Sequence, residues 1–217
     1  MQFIFEQIRT GGDRNFGYLI GDRKNQVATL VDPSYQPELL IQRAKDQSLQ
    51  VTHVINTHGH GDHTNGNNRV KELTGAQIAT YRDSSVQHDI DLVDSQEMTV
   101  GKFQLKILYV PGHADDHILI YIPEFQIAIT GDHLFVGKIG GTMGEADARQ
   151  QFESLMRLQV ELPDDTTVWP GHDVGCRPSS TMALEWSTNP FLIDRNIDRF
   201  LEMKQKWGSF KAENGLM

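Results

Sequence analysis

Seven residues in this chain have the side chains and the spacing to hold metal ions. Thr57-His58-Gly59-His60-Gly61-Asp62-His63 puts three imidazoles and one carboxylate within six positions, and His113, Asp132 and His172 follow at wide intervals. Imidazole and carboxylate without thiolate suit zinc, iron, manganese or a similar divalent metal. One metal cannot use them all. The economical division gives His58, His60 and His113 to one metal and Asp62, His63 and His172 to a second, with Asp132 bridging. Two cations so held would share a hydroxide, lowering its pKa toward neutrality and polarising a scissile group. Asp132 and Asp62 are then the candidate catalytic carboxylates.

The elements that must position these residues are short apolar strands. Val51 to Asn56 runs into His58, Leu105 to Val110 into Pro111-Gly112-His113, Gln126 to Thr130 into Gly131-Asp132, and Thr166 to Trp169 into Pro170-Gly171-His172. Each delivers a ligand to a loop at its C-terminal end, and parallel neighbours in one sheet would bring the four ends together. Further strands are predicted at Phe3 to Ile8, Phe16 to Ile20, Val27 to Val31, Ile78 to Thr80, Met98 to Val100, Ile118 to Ile122 and Ile127 to Thr130. Helical patterns run from Glu38 to Gln47, from Asp62 to Leu73, and from Ala146 to Leu158 with a stripe of Phe152, Leu155, Met156 and Val160. Asp194 to Trp207 is a fourth, using Ile197, Phe200, Leu201 and Trp207. Ser84 to Glu97 is polar and acidic and reads as a surface excursion.

The motif His58-x-His60-x-Asp62-His63, with PGHADDH (111–117), TGDHLF (130–135) and PGHD (170–173), resembles the metallo-β-lactamase superfamily over roughly residues 2 to 190. Within it the phrases are most similar to the glyoxalase II (hydroxyacylglutathione hydrolase) and persulfide dioxygenase branches. The resemblance implies an α/β fold, a four-layer αβ/βα sandwich, here in one domain of 217 residues with a short helical extension over about 181–217. It implies that Asp32 sits under the metals and orients a ligand, where the plain alternative is an Asp-Pro turn. His117 matches the second histidine of a GHxxxH phrase and would support a ligand through its free ring nitrogen.

Substrate identity belongs to the glycine-rich loop after Asp132, 135–144. Lys138 is its one cation and would pair with a substrate carboxylate or lie exposed; Gly141 would allow close backbone approach or serve a turn; His133 would line the pocket or pack away from it. Glyoxalase II supplies a basic residue late in this loop and a tyrosine after the PGH-type histidine, and persulfide dioxygenases place an arginine where Gly141 falls. This chain has Gly140-Gly141-Thr142 and Asp173-Val174 instead. The leading expectation is therefore a two-metal hydrolase, zinc first with iron or manganese as alternatives, acting on a thioester or related acyl bond. The alternative is a mononuclear iron dioxygenase using His58, His113 and Asp132. Lactone, β-lactam and phosphoester hydrolysis, and a noncatalytic metal-binding module, follow behind.

Composition agrees with this reading. The formal charge of −9 and the lack of a basic stripe interleaved with aromatics argue against nucleic acid as a partner. Two divalent metals would bring that charge to about −5, so the centre can be positive in an acidic chain. Cys176 is the only cysteine, so no intramolecular disulfide forms, which fits a reducing cytosol. No stretch approaches the ~20 apolar residues of a membrane span, and MQFIFEQIRTGG lacks the form of a secretory signal. The expectation is a cytoplasmic protein with a small-molecule substrate. The C-terminal helix packs on the domain in the simpler reading and forms a homodimer contact in the sharper one.

Overall fold

The structure is a computed structural model and describes residues 2–213 and 215. Two six-stranded sheets face each other. The first runs β1 (Phe3–Gly11), β2 (Asn15–Asp22), β3 (Val27–Val31), β4 (Gln50–Ile55), β5 (Gln77–Tyr81) and β6 (Ile90–Leu92), in that spatial order. The second contains β7 (Glu97–Val100), β8 (Phe103–Tyr109), β9 (Ile118–Ile122), β10 (Ile127–Gly131), and, beyond a small hairpin of β11 (Leu134–Phe135) and β12 (Lys138–Ile139), β13 (Thr167–Pro170) and β14 (Ser180–Thr181). Its order is β14-β13-β10-β9-β8-β7.

Alternation along the strands builds three apolar layers. Tyr18, Ile20, Ile55, Leu105, Ile107 and Ile120 fill the space between the sheets. Leu19, Leu30 and Val54 point the other way, onto helices α1 (Pro37–Asp46) and α3 (Asn67–Thr74). On the far side, Leu108, Leu119 and Ala128 meet α4 (Glu145–Glu161), α5 (Met182–Thr188) and α6 (Ile197–Glu213). The four-layer αβ/βα sandwich is thus present. The helical extension lies against α4, with the Phe152 and Phe200 rings 5.3 Å apart. No helix among the described residues is long and apolar enough to cross a membrane.

Four sequence expectations change. The ligand-bearing strands are not all neighbours in one sheet: β4 belongs to the first, while β10 and β13 pair in parallel in the second and β8 is separated from β10 by the antiparallel β9. The ligands meet because corresponding edges of two sheets converge. The helix expected over 62–73 is two pieces, α2 (Gly61–Thr64) and α3. At the join Gly66 passes so close to the Pro33 carbonyl that a Cβ would lie 1.7 Å from its oxygen. The excursion at 84–97 contains β6, an edge strand whose Leu92 is fully buried. Val160 is 87% exposed, because α4 buries Gln151 and Ser154 in addition to Leu155 and Leu158.

Candidate metal centre

All seven candidate ligands come together. The donor atoms of His58, His60 and His113 lie within 4.8 Å of one another, as do those of Asp62, His63 and His172. Asp132 lies between the two sets: its Oδ1 is 3.4 Å from His63 Nε2, and its Oδ2 is 3.6 Å from His113 Nε2 and 3.2 Å from His172 Nε2. His58, His63 and Asp132 also form a compact trio. Two of these three groups coincide with the sets read from the sequence, and the third crosses them.

Hydrogen bonds on the outer side fix which nitrogen faces inward. His113 Nδ1 donates to the Gly141 carbonyl at 2.8 Å, His172 Nδ1 to the Asp13 carbonyl at 2.8 Å, and His63 Nδ1 to Asp32 Oδ2 at 2.9 Å. Thr57 Oγ1 donates to Asp32 Oδ2 at 2.7 Å, which leaves its lone pairs for His58 Nδ1 at 3.1 Å. These tautomers follow from the network. They leave four Nε2 lone pairs turned toward the centre. His63 Nε2 and His172 Nε2 stand 3.3 Å apart, His58 Nε2 is 2.9 Å from His60 Nδ1, and Asp132 Oδ1 is buried without a hydrogen-bond partner. Lone pairs and a carboxylate oxygen facing one another out of water are the arrangement that a bound cation would satisfy. The donor set fits two divalent metals, with Asp32 tying both histidine groups from beneath.

Charge in the centre agrees. Burial alone would raise the Asp132 carboxyl, but the facing His63 and His172 imidazoles hold it well below the ordinary range. Burial pushes His58 and His113 down, with neighbouring imidazoles adding to it, so both imidazoles are neutral. Burial also opposes charge on His63, yet Asp132 and Asp32 outweigh it and raise this imidazole well above its usual value. A metal held by His63 would have to displace that proton.

The remaining candidates divide. Asp32 and His117 lie against the cluster: Asp32 bonds His63 and Thr57, His117 Nε2 accepts the Asp132 backbone N–H at 3.1 Å, and the His117 ring stacks on His58 at 4.8 Å. His133 is a correction. Its ring is completely buried with neither nitrogen partnered, and burial drives it down to about 3, so it packs behind Asp132 and presents nothing to a substrate. Gly141 serves first through its carbonyl, which holds His113. It also lines, with Phe135, Lys138, Ile139, Lys204 and Trp207, a cavity of about 340 Å³. Lys138 is half-buried there, its Nζ 5.5 Å from the Phe135 ring centre, in a place to meet an anion. A second cavity, beside His60 and His113, is lined by Asp83, Asp115, Asp116 and Asp147.

Three participants escaped the sequence reading. Asn15 Nδ2 donates to Asp62 Oδ2 and to the Asp62 carbonyl, both at 3.1 Å. The Asp13 carbonyl holds His172. Lys204, on α6, donates to the Gly140 carbonyl at 3.2 Å and to Thr142 Oγ1 at 3.1 Å, and desolvation pushes its ammonium down to about 8. The sequence carried only weak signals for them: a turn-like Asn after Gly-Gly-Asp-Arg and a lysine on an amphipathic helix.

With this sandwich and this ligand constellation, the chain belongs to the metallo-beta-lactamase superfamily, whose family model matches residues 10–172. Among curated relatives it is 34% identical to the hydroxyacylglutathione hydrolase of Pelagibacter ubique over 163 residues, covering 73% of this chain and 66% of that protein. It is 31% identical to the mitochondrial persulfide dioxygenase ETHE1 of Homo sapiens over 180 residues, covering 82% and 71%. The chain thus spans about two thirds of the length of the curated relatives it matches. Among solved structures, ETHE1 from Myxococcus xanthus superposes with a TM-score of 0.87 at 30% identity, covering 94% of this chain and 91% of that one. The di-iron-bound form of TTHA1623 superposes with a TM-score of 0.73 at 26% identity, covering 86% and 100%.

Proposed function

We propose that the protein is a metal-dependent hydrolase of a thioester or related acyl bond, with His58, His60, Asp62, His63, His113, Asp132 and His172 as ligands of two metals, zinc by preference. The observation that carries this is the doubling of the site: two complete three-ligand sets, with Asp132 against both. Bound there, two divalent cations supply an acidified water and positive charge opposite a developing oxyanion.

The chain's own part is orientation. Asp32 holds His63 directly and His58 through Thr57, and Gly141 and Asp13 hold His113 and His172, so the nitrogens are aimed before a substrate arrives. Asp132, the carboxylate lying between the two sets, is placed to orient the attacking water by accepting a hydrogen bond from it. The cavity with Lys138 and Lys204 above Phe135, Ile139 and Trp207 suits the non-reacting end of the substrate, an apolar or thiol-bearing chain ending in a carboxylate.

A second reading, a mononuclear iron dioxygenase using His58, His113 and Asp132, is favoured by the likeness to the ETHE1 proteins over most of their length. Metal analysis of protein purified without chelator separates the two. About two metals per chain support the hydrolase, and one tightly held iron points to the dioxygenase. Parallel assays follow loss of a glutathione thioester and oxygen uptake with glutathione persulfide. Replacing Asp132 with alanine abolishes either activity; retained turnover would overturn the ligand assignment.

A further inference from the structure

The turn between β1 and β2 touches only one of the two ligand sets. Asn15, fully buried at its end, uses both amide protons on Asp62, one on the carboxylate Oδ2 and one on the main-chain carbonyl. That same Oδ2 faces His172 Nε2 at 3.4 Å and His63 Nε2 at 3.7 Å, so the atom Asn15 grips is the one turned to the ligand set. Two residues back, the Asp13 carbonyl fixes the His172 ring. Main-chain bonds lock the turn to the His172 loop on either side: Phe16 N–H to the Gly171 carbonyl at 2.8 Å and Asp173 N–H to the Arg14 carbonyl at 2.9 Å, with the Arg9–Asp173 ion pair alongside. His58 and His113 are anchored elsewhere, through Thr57 and Gly141, and among the described residues the His60 ring meets only those two imidazoles.

We infer that the Gly12–Asn15 turn is a clamp specific to the Asp62–His63–His172 metal position, and that Asn15 is the positioning residue setting that position's affinity independently of the other. The inference rests on the metal reading of the centre. The physical reason is local. A carboxylate on a four-residue helix is free to turn about its side-chain bonds, and Asn15 is the donor that stops it. Losing that outer hydrogen bond removes orientation and leaves the donor atom in place, the situation in which ligand affinity falls by about 10- to 100-fold. Because the turn belongs to the first sheet and His172 to the second, the clamp also joins the two sheets at this position.

Cobalt(II) titration of chelator-stripped protein tests this. Wild type takes up two equivalents. Asn15→Ala takes one with unchanged affinity and the other about 10- to 100-fold more weakly, and Asn15→Asp, which sets a carboxylate against Asp62, weakens the same one further. Equal weakening of both equivalents, or of neither, overturns the clamp. Failure of wild type to bind cobalt overturns the metal reading beneath it. Amide hydrogen exchange keeps the test open if Asn15 variants do not fold. In His113→Ala protein, where only the second set is whole, cobalt slows exchange at Phe16 and Asp173; in His172→Ala protein it leaves them unchanged. Slowing in both variants refutes the assignment.

Discussion

Lys204 offers a prediction in which stability and activity move in opposite directions with pH. Its ammonium is partly buried between Gly140, Thr142 and the Phe200 ring; desolvation outweighs the opposing pull of the Asp147 carboxylate, and its pKa drops from 10.5 to about 8. The folded protein therefore binds fewer protons than the unfolded chain between those limits, so stability rises with pH across that window. Below about pH 8 the charged form costs the fold its full penalty. At about 1.4 kcal/mol per pH unit the ceiling is about 3 kcal/mol, and solvent screening of a partly exposed group leaves about 1–2 kcal/mol. Denaturant unfolding of wild type and Lys204→Met at pH 7, 8.5 and 10 should show wild type gaining that amount relative to the variant. Activity runs the other way. A substrate carboxylate pairs with the charged form, so kcat/KM for acidic thioesters falls above about pH 8, a limb the variant lacks. Cations in the metal centre would shift that limb lower. Loss of a charge-assisted hydrogen bond of about 1.5–3 kcal/mol raises KM roughly 10- to 150-fold in the variant at pH 7 with kcat nearly constant. Parallel unfolding curves would refute the desolvation argument. An equal loss on an uncharged thioester would refute the role in recognition.

Gly140→Ala puts a Cβ 2.0 Å from the Asp132 carbonyl oxygen and 2.8 Å from His113 Nδ1; overpacking of about 1–3 kcal/mol and at least tenfold weaker metal binding are expected, read by thermal unfolding and metal content. His133→Leu removes two buried, unpartnered nitrogens, so turnover stays within about twofold and stability is unchanged or improved by up to about 2 kcal/mol; a tenfold fall in turnover would return His133 to the substrate pocket. Removing metal with chelator lowers the melting temperature, by more at pH 8 than at pH 6. In the metal-free protein the raised His63 pKa contributes stability that is full below its unfolded value and lost as pH rises through its folded value, whereas metal binding needs the neutral ring and gains with pH. A gap between metal-bound and metal-free melting temperatures that narrows with pH would contradict the His63 assignment.

The candidate ligands were legible in the sequence because they follow a local device, an apolar strand ending in a glycine-spaced loop, and the side chain that would bind is the side chain that is read. What holds the ligands was legible only in part. Asp32 could be named through its resemblance, but the Asp13 and Gly141 carbonyls have no side-chain signature, and Asn15 looks like any turn residue until the hairpin is folded against Asp62. The helix break at Gly66 is likewise a tertiary fact, set by Pro33, 33 positions earlier in the chain. His133 was ambiguous for the opposite reason. Its neighbour Asp132 is a candidate ligand, but both residues lie in the turn after β10, closed by the His133 N–H to the Thr130 carbonyl, and only the folded turn shows that the His133 ring enters the core.

The two cavities carry unlike charge, and this gives a last prediction. Asp83, Asp115, Asp116 and Asp147 line the cavity beside His60 and His113, whereas Lys138 and Lys204 line the one beneath Gly141. An anionic acyl substrate crossing the centre is repelled from the first cavity and drawn to the second, so its carboxylate end is sorted toward α6 before the scissile carbonyl reaches Asp132. Both effects are Coulombic over distances near the ~8–10 Å screening length of ordinary buffers. Raising salt from 20 to about 300 mM should therefore raise KM for an acidic thioester several-fold, leaving kcat and the KM of an uncharged thioester in place. Lys138→Met and Lys204→Met together should flatten that dependence. If the salt effect survives in the double variant, the sorting field comes from the metal centre alone, and the two lysines are surface cations without a part in orientation.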